Sequence, residues 1–253
     1  MTDTFFSDVN VAETQLLTDL KQMVQRHADN HPRSQQKALG PSQIGHPCLR
    51  HLAQSMHGSD EIINPPGDPL PAYIGTAVHS RLEDAVAQDN ARRDRPRWLS
   101  ETKVEVRQGL SGTCDLYDID TGTVVDFKAP GSVAMTTYRK QGPSPEYRIQ
   151  AHAYGHGFAR LGFNVNTVGI WFLPRAGRLS TSHLWTEPYD ESIVRDALGR
   201  IDLATLMMDD LDVDNHPERF AVIPKTPHNC GWCPWWSPAS GHANPLACTG
   251  DAQ

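Results

Sequence analysis

The spacing of apolar residues lays out the elements. Across residues 11–28, Leu16, Leu17, Leu20, Met23 and Val24 recur at helical intervals and predict an amphipathic helix. A polar stretch over 29–40 separates it from a short helical segment at 47–57. Residues 58–70 concentrate Gly, Pro and Asp and read as a loop. A helix follows over 72–88, with Val78, Leu82 and Val86 as its apolar stripe. The period then drops to two. Residues 102–107 alternate around Val104 and Val106, while 110–119 and 123–127 read as strands joined by an Asp120-Thr121-Gly122 turn. A helix over 145–161, strands over 165–173 and 179–185, and a helix over 191–208 complete the pattern. The order α-α-α-β-β-β-α-β-β-α predicts an α/β fold: one mixed central sheet flanked by helices. The tail beyond Pro224 is a loop rich in Pro, Trp and Cys.

Composition narrows the class. The 253 residues, 38% hydrophobic and 21% charged, suit one large domain with appendages. We divide them into a helical extension over 1–40 and a single domain over 41–253. No apolar run approaches the ~20 residues of a membrane helix, which predicts no membrane partner. No basic segment followed by an apolar stretch marks a signal peptide. Five cysteines are too few for a disulfide scaffold, so the expected setting is a reducing cytoplasm. A formal charge of −7 excludes a chain coated in positive charge. It leaves room for local grip through a few arginines.

The chemistry concentrates in residues 112–128. Asp115 lies on the first strand of the hairpin, and Asp126 and Lys128 on the second. A period of two puts Asp126 and Lys128 on one face, with Phe127 on the other. Two carboxylates side by side repel unless a cation lies between them. A hard ion such as Mg²⁺ or Mn²⁺ resolves that conflict with oxygen ligands. The lysine is then placed to serve a water or a phosphate. Taken alone, an Asp-x-Lys triplet equally fits a surface ion pair. Upstream, His79 and Glu83 share a helix face at i, i+4, and downstream Gln150 and Tyr154 repeat that spacing. His152 and His156 also lie at i, i+4, but no acidic or thiol partner near them in sequence favours zinc.

In the order G-x-x-x-H-x-x-x-E, G-x-x-D, D-x-K, Q-x-x-x-Y, residues 42–250 resemble the RecB-like branch of the PD-(D/E)XK nucleases. The resemblance implies a restriction-endonuclease-like core and Mg²⁺- or Mn²⁺-dependent cleavage of DNA, foremost as an exonuclease on single-stranded ends. It implies a setting in recombination, repair or CRISPR-type adaptation, phage-encoded or otherwise. By position it makes His79, Asp115, Asp126 and the Phe127 backbone carbonyl metal ligands. Lys128 would serve the attacking water, Glu83 would support the metal shell, and Gln150 and Tyr154 would shape the site. No G-x-x-x-x-G-K-[ST] phosphate loop occurs, so unwinding would need a helicase or recombination partner. The alternatives are a non-catalytic DNA-binding or scaffold subunit of the same fold, and a zinc-stabilised interaction protein.

Cys48, Cys230, Cys233 and Cys248 form a second group, leaving Cys114 as a free buried thiol. Four thiolates suit structural Zn²⁺ or an iron–sulfur cluster. A subset of RecB-like nucleases, including AddB and the exonucleases of CRISPR adaptation, is similar here: one cysteine before the nuclease motifs and three after hold a [4Fe–4S] cluster. That implies a staple between Cys48 and residues 230–248. The gap from Cys233 to Cys248 is longer than in that subset, and His242 within it leaves Cys3His zinc open. For DNA contact the sequence offers Arg92, Arg93, Arg95 and Arg97, then Tyr138, Arg139, Lys140 and Arg148. Trp232, Trp235 and Trp236 suit either base stacking or packing over the cluster.

Overall fold

The structure, a computed structural model, describes residues 3–30, 39–58, 62–64, 67–238 and 244–250, with side chains from residue 14 onward. Three helices come first: α1 (Asp3–Asp29), α2 (Leu49–His57) and α3 (Leu70–Asn90). Next are β1 (Trp98–Arg107), β2 (Leu110–Asp118) and β3 (Thr123–Lys128), then α4 (Ser132–Gln141) and α5 (Pro145–Arg160). The chain ends with β4 (Thr167–Phe172), β5 (His183–Pro188) and α6 (Glu191–Leu211), followed by short 3-10 turns. The strands form one five-stranded sheet in sequence order. All neighbours are antiparallel except β3 and β4, which run parallel. A parallel pair needs a crossover, and α4 and α5 supply it. The α/β expectation therefore stands.

Local chemistry explains the boundaries. Gly122 adopts φ +67° in the predicted β2–β3 turn, a backbone region open to glycine. The Ser144 hydroxyl accepts from the Tyr147 N–H at 3.3 Å, and Pro145 follows at the first helical position, so α5 starts there. Asp190 caps α6 in the same way through the Ser192 N–H. α5 packs across β1, β3 and β4, and α6 packs on α5 and α2. One core, including Val104, Phe158, Val168, Ile170 and Phe172, lies where α5 covers the sheet. A second joins α2, α6 and the tail through Leu52, Ala204, Phe220, Ile223 and Trp235. At Gly157 α5 comes close against β1: an added Cβ would lie 2.6 Å from Val104.

Several elements depart from the pattern: α1 begins at Asp3, ahead of residue 11. β1 begins at Trp98 instead of residue 102. The strand expected over 179–185 starts at His183, after a 3-10 turn at Leu179–Thr181. α4 was not anticipated, because its sequence SVAMTTYRKQ is rich in β-branched residues and buries only Met135. Among the described residues, no helix is long and apolar enough to cross a membrane.

Candidate metal centre and thiol pocket

β2 and β3 pair from Asp118–Thr123 to Leu116–Val125. One step further the side chain of Asp115 takes over: its Oδ2 accepts the Phe127 N–H at 2.5 Å. That bond fixes the carboxylate, and Oδ1 meets His79 Nδ1 at 3.0 Å. Burial disfavours the His79 imidazolium, but the Asp115 hydrogen bond and charge outweigh it, so the net shift is upward. Asp126 is buried as expected, with Lys128 Nζ 2.6 Å from Oδ2 and Gln150 Nε2 donating to Oδ1 at 3.0 Å. Oδ2 has no hydrogen bond of good geometry. Burial pushes the Asp126 carboxyl up to about 6, against the pull of Lys128 and with the push of Asp115. Gln150 Nε2 also reaches the Tyr154 hydroxyl at 3.3 Å, and burial drives that phenol's pKa upward. Lys128 lies 4.7 Å over the Tyr147 ring.

A donor set appears here that the motif order missed. Single oxygen or nitrogen atoms of His79, Glu101 and Asp115 all lie within 4.8 Å of one another. Glu101 adopts φ +45°, rare for a residue with a Cβ, at the point where β1 passes Asp115. The register Ser100–Leu116 and Thr102–Cys114 sets it opposite Asp115. Counting back from the Gln108-Gly109 turn would have set Thr102 there instead; a register shift between Glu105 and Arg107 brings Glu101 into place. Glu83 is exposed on α3 and lies outside this donor group. Asp126 also lies outside it, turned toward Lys128 and Gln150. Two buried carboxylates in electrostatic reach of each other and three convergent N/O donors fit a hard divalent cation.

Beside these groups runs a cleft of about 770 Å³, bounded by Tyr73, Ser80, Lys128, Tyr147 and Arg175 and by the last turn of α1. The other cationic residues fall elsewhere. Arg93 pairs with Asp89, Arg95 with Asp120, and Arg97 holds Asp118 through two bonds of 3.0 and 2.8 Å while stacking 4.1 Å over Trp98. Arg148 pairs with Glu187, and Arg139 donates to the Thr181 carbonyl. Arg92 and Lys140 are exposed. Tyr138 stacks on Phe172 at 4.5 Å and belongs to the core. His152 is buried against Glu187 at 2.6 Å, and His156 reaches the Tyr189 hydroxyl.

Cys48, Cys230, Cys233 and Cys248 line one pocket, and no disulfide joins them. Burial pushes the Cys233 thiol up to about 11, and the other three thiols push the same way. Among the described residues no three of these sulfurs lie within 4.8 Å of one another. A zinc tetrahedron, at Zn–S about 2.3 Å, sets them about 3.8 Å apart. Arg50 Nη1 points at Cys248 Sγ from 3.8 Å. Arg200 donates to the carbonyls of His46 and Pro47, just before Cys48. Trp235 is buried, Trp236 borders the pocket, and Trp232 is 74% exposed. Cys114 is buried apart from them. His242 lies outside the described residues. Residues around the pocket bond to the segments that precede or begin both motif-bearing helices. His228 on its rim pairs with Glu146 at the start of α5, and the N–H groups of Ile63 and Asn64, on the approach to α3, donate to Pro234 O at 2.9 and 2.8 Å.

No protein-family model and no curated protein matches the sequence. Among solved structures, the alkaline exonuclease LHK-Exo from Laribacter hongkongensis in complex with dAMP aligns at TM-score 0.50 and 13% identity, over 74% of this chain and 94% of that one. The fold is that of LHK-Exo. A second structure of LHK-Exo aligns at TM-score 0.45 and 9% identity over the same shares of each chain. A phage-related exonuclease from Haemophilus somnus aligns at 0.40 and 15%, over 56% of this chain and 73% of that one.

Proposed function

We propose that this protein is a metal-dependent DNA nuclease, acting as an exonuclease on the ends of single strands. The observation that carries the reading is Asp115, Asp126 and Lys128 brought together on adjacent strands, with Lys128 lining a cleft. The shared fold with an exonuclease, crystallised with a nucleotide, supports it. His79, Glu101 and Asp115 would hold the cation, and Asp126 would complete its shell on release from Lys128. A Mg²⁺ or Mn²⁺ ion there supplies Lewis-acid charge compensation to the scissile phosphate. Lys128 Nζ, freed from Asp126, orients the attacking water or donates to a phosphate oxygen. Gln150 keeps Asp126 aimed, and Tyr154 braces Gln150. Tyr147 offers an aromatic wall, and Arg175 a cation for the backbone of the strand.

The thiol pocket we assign to a [4Fe–4S] cluster held by Cys48, Cys230, Cys233 and Cys248, the RecB-like feature of the chain. Support comes from the four cysteines lining one pocket and from Arg50 beside Cys248. Iron and sulfide analysis after anaerobic purification tests this, and stoichiometric zinc without sulfide overturns it. For the nuclease, 5′- and 3′-labelled single strands are incubated with Mg²⁺ or Mn²⁺. The expected result is metal-dependent shortening of the strand, lost by about 10²-fold or more in Lys128→Ala and Asp126→Ala. Unchanged cutting by either variant overturns the assignment.

A further inference from the structure

Helix α1 shows an apolar seam to solvent. Leu16, Leu17, Leu20 and Met23 are 59, 52, 48 and 55% exposed, and Val24 and Ala28 are half-buried. Leu16, Leu20, Met23 and His27 alternate steps of four and three, the spacing of a coiled-coil seam. Leu17 and Val24 border that seam on one side, Asp19 and Arg26 on the other. No ion pair among the described residues engages Asp19 or Arg26. Asp19 accepts only from the Gln15 amide, at 2.9 Å.

The two charged borders select the partner. They have opposite sign and lie seven residues apart on one edge. In an antiparallel pair of identical helices, with the two-fold axis between Lys21 and Gln22, Asp19 of one copy meets Arg26 of the other, twice over. The same register sets Leu20 on Met23 and Leu17 beside Val24. It also brings Leu16 to His27, whose ring already meets Tyr73 edge-on at 5.4 Å. A parallel pair would set Asp19 beside Val24 and leave the charges unmatched. We propose that α1 is a self-association surface, through which two copies of this chain pair antiparallel by the seam Leu16-Leu20-Met23-His27 and reciprocal Asp19–Arg26 contacts.

The test is the mass of the full chain in solution, measured by light scattering over a concentration series. The wild type is expected to be a dimer. By symmetry Asp19→Arg turns both ion pairs into like-charge pairs, as does Arg26→Asp, so each should weaken the dimer about tenfold. The double swap D19R/R26D should restore it. A double substitution L20D/M23D should give a monomer whose far-ultraviolet circular dichroism matches the wild type after allowance for α1. A wild type that stays monomeric overturns the proposal. So does a dimer that survives L20D/M23D. A double swap no better than the single ones overturns the antiparallel register.

Discussion

At the scale of single residues, the site turns on carboxylates placed by backbone geometry. Asp115 is held by a neighbouring strand's N–H, so its length matters as much as its charge. Asp115→Glu adds a methylene and moves the carboxylate off the Phe127 N–H. We expect it to lose activity nearly as fully as Asp115→Asn in a labelled-strand assay. Glu101 and Glu83 make opposite predictions. Glu101→Gln should weaken Mn²⁺ binding by about 10–100-fold by calorimetry, the range seen when a metal site's supporting groups are changed. Glu83→Gln should leave it within twofold or so, because that side chain is exposed. Asp126 sets a pH dependence. Its folded-state pKa of about 6 lies above the ordinary 3.8. The folded metal-free protein thus holds a proton that the unfolded chain has released, and stability falls as pH rises from about 4 to about 6. Thermal unfolding in chelator should show Asp126→Asn gaining on the wild type across that window. Added Mn²⁺ should erase the gain, since it favours the ionised carboxylate.

At the scale of elements, the hairpin of β2 and β3 was legible because its turn chemistry and period of two agree. That agreement placed Asp115, Asp126 and Lys128 together without any structure. Glu101 escaped because its presentation depends on a positive φ that no residue type announces. α4 escaped because crossover geometry places it, against its own weak helical pattern. The arginines of 92–97 were legible as charge, but the partners of Arg95 and Arg97, Asp120 and Asp118, lie more than 20 residues away. Arg97→Ala should destabilise the fold by about 1–3 kcal/mol, as expected for a buried acceptor left without its donor. It should leave the salt dependence of DNA binding unchanged, since Arg97 is committed to Asp118. Gly157→Ala should cost about 1–3 kcal/mol, because α5 must back away from Val104.

At the scale of the whole molecule, composition excluded a positive coat, and the electrostatics are local, as that left open. Many cations sit beside acids of the same chain, while Lys128 and Arg175 border the cleft. The proposed cluster, by joining Cys48 to residues 230–248, would close a loop of more than 180 residues that contains every motif residue. Cys48→Ser should therefore lower the unfolding temperature, an effect read by calorimetry; loss of a long-range closure costs about 2–5 kcal/mol on the disulfide analogy.

The rim of the thiol pocket holds the start of α5 through His228 and Glu146, and the neighbouring Pro234 carbonyl accepts from Ile63 and Asn64, upstream of α3. Oxidation of one sulfur would leave every group at the carboxylate site chemically intact, yet could release the spacing between His79 and Gln150. Oxidative injury at the sulfurs would then be felt as misalignment at the carboxylates.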